Sequence, residues 1–184
     1  IKTDSIYAKT VCKTPSNKTK LLDLSKIQVI NNILVYKTGG KKIEFENDDT
    51  KWEYIAEGTY GIIVESKSKT TNDSILLKIF KKEKHSYEEI EVIEYLEKQH
   101  INCKIINAVV VNLDIGNVII MNKLDGDLSK LKGTIRKNYI PSFVNEFISL
   151  YNCLVVNGLG YLDIKLDNML YKCIDDTNLI LRVG

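Results

Sequence analysis

Arginine is nearly missing from this chain. Of 26 basic residues only Arg136 and Arg182 are arginine, so the other 24 are lysine (26 − 2). Proline is scarce too, limited to Pro15 and Pro141. With abundant Asn and Ile, this composition fits an AT-rich coding sequence such as that of a large DNA virus or some parasites, an expectation about origin and not about mechanism. Neither sign of charge prevails: 26 basic against 24 acidic residues leave a formal net charge of +2. No basic field invites nucleic acid, and none is expected as a partner. The four cysteines, Cys12, Cys103, Cys153 and Cys173, lie far apart without a C-x-x-C pair. That argues against a zinc site and against a disulfide framework, and it predicts buried or free thiols in a reducing compartment. No apolar run approaches the ~20 residues of a membrane span, and no signal-peptide pattern opens the chain. The expectation is a soluble cytoplasmic protein without a membrane partner, in a host cell or virion if the origin is viral. A chain that starts at Ile1 and not at Met is expected to be a segment of something longer.

What is present is ordinary globular material, 44% hydrophobic and 27% charged, enough to bury a core. Residues 1 to about 30 are polar and carry no strong periodicity. Ile33 to Tyr36 and Lys41 to Phe45 read as a hairpin around Gly39-Gly40, where glycine permits the positive φ of a tight turn. Trp52 to Ile55, Ile62 to Glu65 and Ile75 to Phe80 are further strand patterns. His85 to Lys98 is the first good helix, with Ile90, Val92, Ile93 and Leu96 as its expected buried stripe. Strands follow at Ala108 to Leu113 and Val118 to Met121. A second helix is expected from Pro141 to Val156, with Phe143, Phe147, Ile148, Tyr151, Leu154 and Val155 recurring at three and four residues. Met169 to Tyr171 and Leu179 to Val183 close the chain as short strands. The order predicts an α+β fold with two unequal lobes.

Four features carry chemistry. Gly58-Thr59-Tyr60-Gly61 lies between two strands, where glycines let backbone amides approach a phosphate; taken alone, a plain β-turn is the commoner meaning. Lys78 sits inside an otherwise apolar strand, so its ammonium needs an anionic partner or a route to water. A lysine on the solvated face of an edge strand would satisfy the same pattern. Glu88, Glu89, Glu91 and Glu94 crowd the following helix; most must be surface charges, and one turned inward could pair with Lys78. Asp163-Ile164-Lys165-Leu166-Asp167-Asn168 fits D-x-K-x-x-N, a pattern that chance supplies only ~0.05 times in such a chain.

In this order the features resemble the eukaryotic-type serine/threonine protein kinase family. The resemblance runs from about Trp52 to Gly184. Glu57-Gly58-Thr59-Tyr60-Gly61-Ile62-Ile63 resembles the family's glycine-rich loop, with Ala56 in place of its first glycine. Leu76-Leu77-Lys78 resembles V-A-I-K, and Glu89 the helix glutamate that pairs with that lysine. Met121 resembles the gatekeeper, Asn122 to Leu124 the hinge whose backbone faces adenine, and Asp127 a ribose contact. The resemblance implies a bilobal fold: residues 1–50 as an N-terminal extension of open role, 51–124 as small lobe and hinge, and 125–184 as a partial large lobe. It further implies ATP and Mg²⁺ as cofactors and a protein as substrate. Asp163 would accept the substrate hydroxyl's proton, Lys165 would stabilise charge on the γ-phosphate, and Asn168 would bind one Mg²⁺.

The departures matter as well. H-R-D reads Tyr161-Leu162-Asp163, which removes the arginine that usually receives an activation-loop phosphate and predicts activity independent of it. Leu179 to Gly184 resembles the strand leading into D-F-G, so an aspartate is expected directly after Gly184. Two other readings stay open: a pseudokinase-like nucleotide-binding or scaffold module, and a small-molecule phosphotransferase. His85 and His100 are expected to be exposed, and Trp52 and Tyr54 to pack the small lobe.

Overall fold

The computed structural model describes residues 21–101, 103, 107–130, 137–160, 165–175 and 177–184. Cys12, Arg136 and the Tyr161–Ile164 stretch that contains Asp163 lie outside them. The described residues form two compact units. One comprises 21–101 and 107–123; the other comprises Cys103 and the described part of 124–184.

The first unit begins with an antiparallel meander of β1 (Ile27–Ile30), β2 (Ile33–Thr38) and β3 (Lys41–Glu44). Both of its turns have two residues at positive φ: Asn31 and Asn32 at 50° and 59°, then Gly39 and Gly40 at 51° and 78°. That conformation matches the right-handed twist of the flanking strands, and Asn and Gly tolerate it best. The glycine hairpin falls where the sequence predicts it. β1 falls where no periodicity announces a strand, and Asn31-Asn32 is the local turn signal that marks its end.

A five-stranded antiparallel sheet follows, ordered β4-β5-β6-β8-β7. Its strands are β4 (Glu53–Glu57), β5 (Gly61–Lys67), β6 (Ser74–Phe80), β7 (Ala108–Leu113) and β8 (Gly116–Asn122). Helix α1 (Lys84–Lys98) is inserted between β6 and β7. Side chains alternate between the two faces of a sheet, and the register sorts them. Lys78 stands opposite Ile63 and Ile119, whereas Leu77 stands opposite Val64 and Ile120.

The Leu77 face is buried under the meander. Val64, Ile75, Leu77, Val118 and Ile120 form one core with Leu22, Leu24, Ile27, Leu34, Tyr36 and Phe45. Leu24, Leu34 and Phe45 have no exposed surface, and burying such a side chain stabilises the fold by about 1.5–3 kcal/mol. Residues 21–51, whose role the sequence left open, are thus the second layer of this unit. Trp52 joins the core and donates its indole N–H to the Glu46 carbonyl at 2.8 Å. Tyr54, expected to pack as well, is 61% exposed. On α1 the half-buried positions after the first turn are Glu89, Ile90, Ile93 and Leu96, and Val92 faces outward. The spacing of three to four residues closes the stripe without Val92.

In the second unit β9 (Gly126–Asp127), β10 (Met169–Cys173) and β11 (Leu179–Val183) form a sheet ordered β11-β10-β9. Helix α2 (Ile140–Val156) packs on it. Ser142 and Glu146, one turn apart, satisfy the backbone of β11. The Ser142 hydroxyl exchanges hydrogen bonds with Leu179 N and O, and Glu146 accepts from Leu181 N at 3.0 Å. Leu150 sits in the core with Leu128, Met169, Tyr171, Leu181 and Val183; Phe143 and Leu154 pack against it. The other expected helix positions, Phe147, Ile148, Tyr151 and Val155, are exposed.

The cysteines overturn the expectation of free thiols. Cys103 and Cys153 form a disulfide with Cα atoms 5.3 Å apart, and Cys173 is disulfide-bonded too. A separation of 50 residues hides such a pair from spacing rules; only the packing of residue 103 against α2 brings the two sulfurs together.

Candidate functional site

The glycine turn links β4 to β5. Gly58 N donates to Gly61 O at 2.9 Å, and Lys81 N donates to Tyr60 O at 2.9 Å, which fixes the base of the turn. Its two glycines are there for different reasons. A Cβ on Gly61 would come within 2.6 Å of the Ile79 carbonyl oxygen, so the close approach of β5 to β6 excludes any side chain. A Cβ on Gly58 would meet only Gly61 O, at 3.9 Å. The protein's own packing does not demand glycine at 58, and the bare backbone there suits close approach of a ligand. Glu57, just before the turn, pairs with Lys81.

Tyr60 at the tip is 56% exposed and stands edge-on to the His85 ring, with centroids 5.1 Å apart. His85 is not the exposed residue expected from sequence. Its imidazole is half-buried near the start of α1, and its Nδ1 is buried without a hydrogen-bond partner.

Lys78 resolves the question its sequence posed. It lies on β6, the middle strand of the five, and not on an edge. Its Nζ is 2.6 and 2.5 Å from the two carboxylate oxygens of Glu89, an ion pair between strand and helix. The ammonium also lies over the Phe80 ring, 5.6 Å from its centroid. Of the four glutamates crowding α1, Glu89 is the one turned inward to this lysine. With side-chain exposures of 22% for Lys78 and 38% for Glu89, the pair stays open to a ligand from solvent. A cation already oriented by a carboxylate, on the face beside a glycine turn, is equipped to receive phosphate oxygens.

At the end of β8, Met121 is buried and stands opposite Leu76, on the Lys78 face. Asn122 is buried on the other face, where its side chain bonds the Leu22 backbone. Lys123 pairs with Glu65 at 2.5 Å, and the Glu65 side chain is only 4% exposed. Leu124 is half-buried. Ile63 shares the Lys78 face, and Thr59 is exposed at the turn.

The remaining candidates belong to the second unit. Asp127 on β9 is buried, and its carboxylate accepts from the Ser129 hydroxyl at 2.5 Å. Together with Asp125 it faces Tyr171, whose phenol is pushed up first by burial and then by those two carboxylates. Lys165 is exposed, in an extended conformation, and opens a single 3-10 turn through Asn168. Asn168 N returns to Lys165 O at 3.0 Å, and Gly184 N bonds Asn168 O at 3.0 Å. Gly184 is therefore tied directly to the asparagine of the D-x-K-x-x-N pattern. The Asn168 amide oxygen is a hard ligand of the kind Mg²⁺ accepts.

No family model matches the chain. Among curated proteins it is similar to mouse (Mus musculus) cyclin-dependent kinase 11B, 31% identical over 142 residues that cover 71% of this chain and 17% of that protein. It is similar to the Drosophila melanogaster serine/threonine-protein kinase PITSLRE, 32% identical over 136 residues, 69% of this chain and 14% of that protein. Dictyostelium discoideum cyclin-dependent kinase 11 is 29% identical over 133 residues, 64% of this chain and 36% of that protein. The chain thus spans well under two thirds of the length of the relatives it matches. Those relatives are protein kinases, and the α+β architecture fits a kinase-like small lobe with the start of a helical lobe.

Proposed function

We propose that the chain carries the nucleotide-binding part and the catalytic loop of a serine/threonine protein kinase. The reaction would move the γ-phosphoryl group of ATP onto a serine or threonine hydroxyl of a protein. The observation that carries this reading is the Lys78–Glu89 ion pair, built between the middle strand and the inserted helix. The kinase relatives and the order of motifs support it independently.

In this reading the hinge backbone at residues 122–124 holds the adenine, and Met121 borders it from the Lys78 face. The bare turn at Gly58 and the Lys78 ammonium hold the phosphates, with Glu89 fixing where the ammonium points. Asn168 would hold Mg²⁺, which supplies charge neutralisation on the phosphates. Asp163 takes the proton of the substrate hydroxyl as its oxygen bonds to the γ-phosphorus. The bond from that phosphorus to the β–γ bridging oxygen breaks, and ADP leaves. Lys165 offsets the charge growing on the transferred group. A lysine two residues after the aspartate, together with the naming of the relatives, favours a serine or threonine acceptor over tyrosine.

The test is transfer of labelled phosphate from ATP to a generic protein acceptor, followed by phosphoamino-acid analysis. Label on serine or threonine, lost in Asp163→Asn with nucleotide affinity retained, is the expected result. Nucleotide binding without any transfer would replace the reading with a binding module. Label on an amine or sugar alone would replace it with a small-molecule phosphotransferase.

A further inference from the structure

Asn122 does something the nucleotide reading does not require. Its side-chain oxygen accepts from Leu22 N at 2.8 Å, and its side-chain nitrogen donates to Leu22 O at 2.9 Å. The amide thus answers both backbone groups of one residue, as a neighbouring strand would. Both residues are buried, and they lie 100 positions apart in sequence. Stranded in the interior, either partner would leave polar groups unanswered, so the pairing is strongly specified.

The two faces of β8 divide the work. Asn122 stands opposite Ile75, on the face covered by the N-terminal layer, whereas Met121 stands opposite Leu76, on the face of Lys78. The next residue, Lys123, is anchored to Glu65, which shares the Lys78 face because it too stands opposite Leu76. The backbone that would meet adenine is therefore tied on one side to Leu22 and on the other to β5. Leu22 is itself held by its own burial and that of Leu24 in the layer's core.

We propose that residues 21–24 are a brace on the hinge, with Asn122 as the positioning residue through which the N-terminal layer sets nucleotide affinity. This rests on the nucleotide-site reading of residues 122–124. Coupling of this kind is reciprocal: if the brace favours nucleotide binding, bound nucleotide must tighten the brace to the same degree.

The experiment uses ADP as probe and the unmutated protein first. Saturating ADP should slow hydrogen exchange of the Leu22 amide by about fivefold or more. Asn122→Ala should raise the ADP dissociation constant and the KM for ATP by about fivefold or more while leaving kcat at saturating ATP within about twofold. Ile27→Ala, a cavity in the same layer that leaves the Leu22–Asn122 bonds in place, should leave ADP affinity within about twofold even where it lowers Tm. Protection of the amides of 122–124 by ADP without any change at Leu22 would overturn the brace alone. Equal losses of ADP affinity in Ile27→Ala and Asn122→Ala would also overturn it, since general loosening would then suffice. Failure of the unmutated protein to bind ADP would overturn both the brace and the nucleotide-site reading.

Discussion

Lys78 and Lys165 are both lysines in candidate phosphate positions, and the fold holds them in different ways. Lys78 is fixed by a strand with neighbours on both sides and by a helix carboxylate within hydrogen-bond distance. Lys165 is exposed on a connecting segment that β10 and the Asn168–Gly184 backbone bond steady from one end. The first is set by regular secondary structure, where each backbone bond is repeated along a ladder. The second depends on a few irregular bonds. The sheet thus offers rigid electrostatics in its unit, and the loop offers adjustable chemistry in the other.

The sharpest way to separate the two halves is to disable one at a time. Asp163→Asn in the loop should cut phosphoryl transfer by about 10²–10⁴-fold while nucleotide affinity stays within about twofold, read by labelled transfer beside nucleotide titration. Lys78→Met in the sheet should lower transfer by about a hundredfold and weaken nucleotide binding as well, because it removes a cation from ground state and transition state alike. A Lys78→Met protein with unaltered nucleotide affinity would break the contrast.

Stability should separate the units too. Cys153→Ser opens the bond to Cys103 and should cost the second unit about 2–4 kcal/mol, seen as a lower Tm, since the unfolded chain regains the freedom of a long loop. Within the glycine turn, Gly61→Ala should cost about 1–3 kcal/mol by driving a methyl into the Ile79 carbonyl. Gly58→Ala should change stability by less than about 0.5 kcal/mol and act on nucleotide affinity instead. Equal Tm losses in the two glycine variants would erase the distinction between a packing glycine and a ligand-facing one.

The smallest effect belongs to the turn joining β10 to β11. The Asp175 carboxyl is lowered from 3.8 to about 2, first by the Asn178 side-chain amide and then by the Thr177 backbone N–H. A depressed carboxylate contributes stability above its unfolded value, and that contribution fades as pH falls from 3.8 through about 2. Protection of the Thr177 amide, taken relative to its intrinsic exchange rate at each pH, should therefore fall across that window in the unmutated protein and lose this dependence in Asp175→Asn.

How much was legible in sequence follows the same division. The glycine hairpin, the three strands around the glycine turn and both helices carry local signals, from turn residues or from apolar spacing, and they form near their expected places. The pairing of Lys78 with Glu89 is an implication of the kinase resemblance, since the residues by themselves leave four glutamates open, and the ion pair forms as that resemblance implies. β1 was missed for lack of periodicity. Val92, Phe147, Ile148 and Tyr151 were expected in cores and lie outside them, because a run of apolar residues does not say which of its faces finds a partner. The Cys103–Cys153 bond and the Leu22–Asn122 pairing had no local trace at all.

The sequence by itself determined the α+β order of elements and the residue types able to handle phosphate, because turn chemistry, side-chain periodicity and motif spacing are local properties of the chain. Only the tertiary structure decided that Lys78 is interior to its sheet, that Glu89 is the partner among four glutamates, and that residues 21–51 cover the opposite face. Those outcomes depend on which strands become neighbours and which face each side chain takes. Contacts between distant residues fix them, and a reading of local pattern does not contain that information.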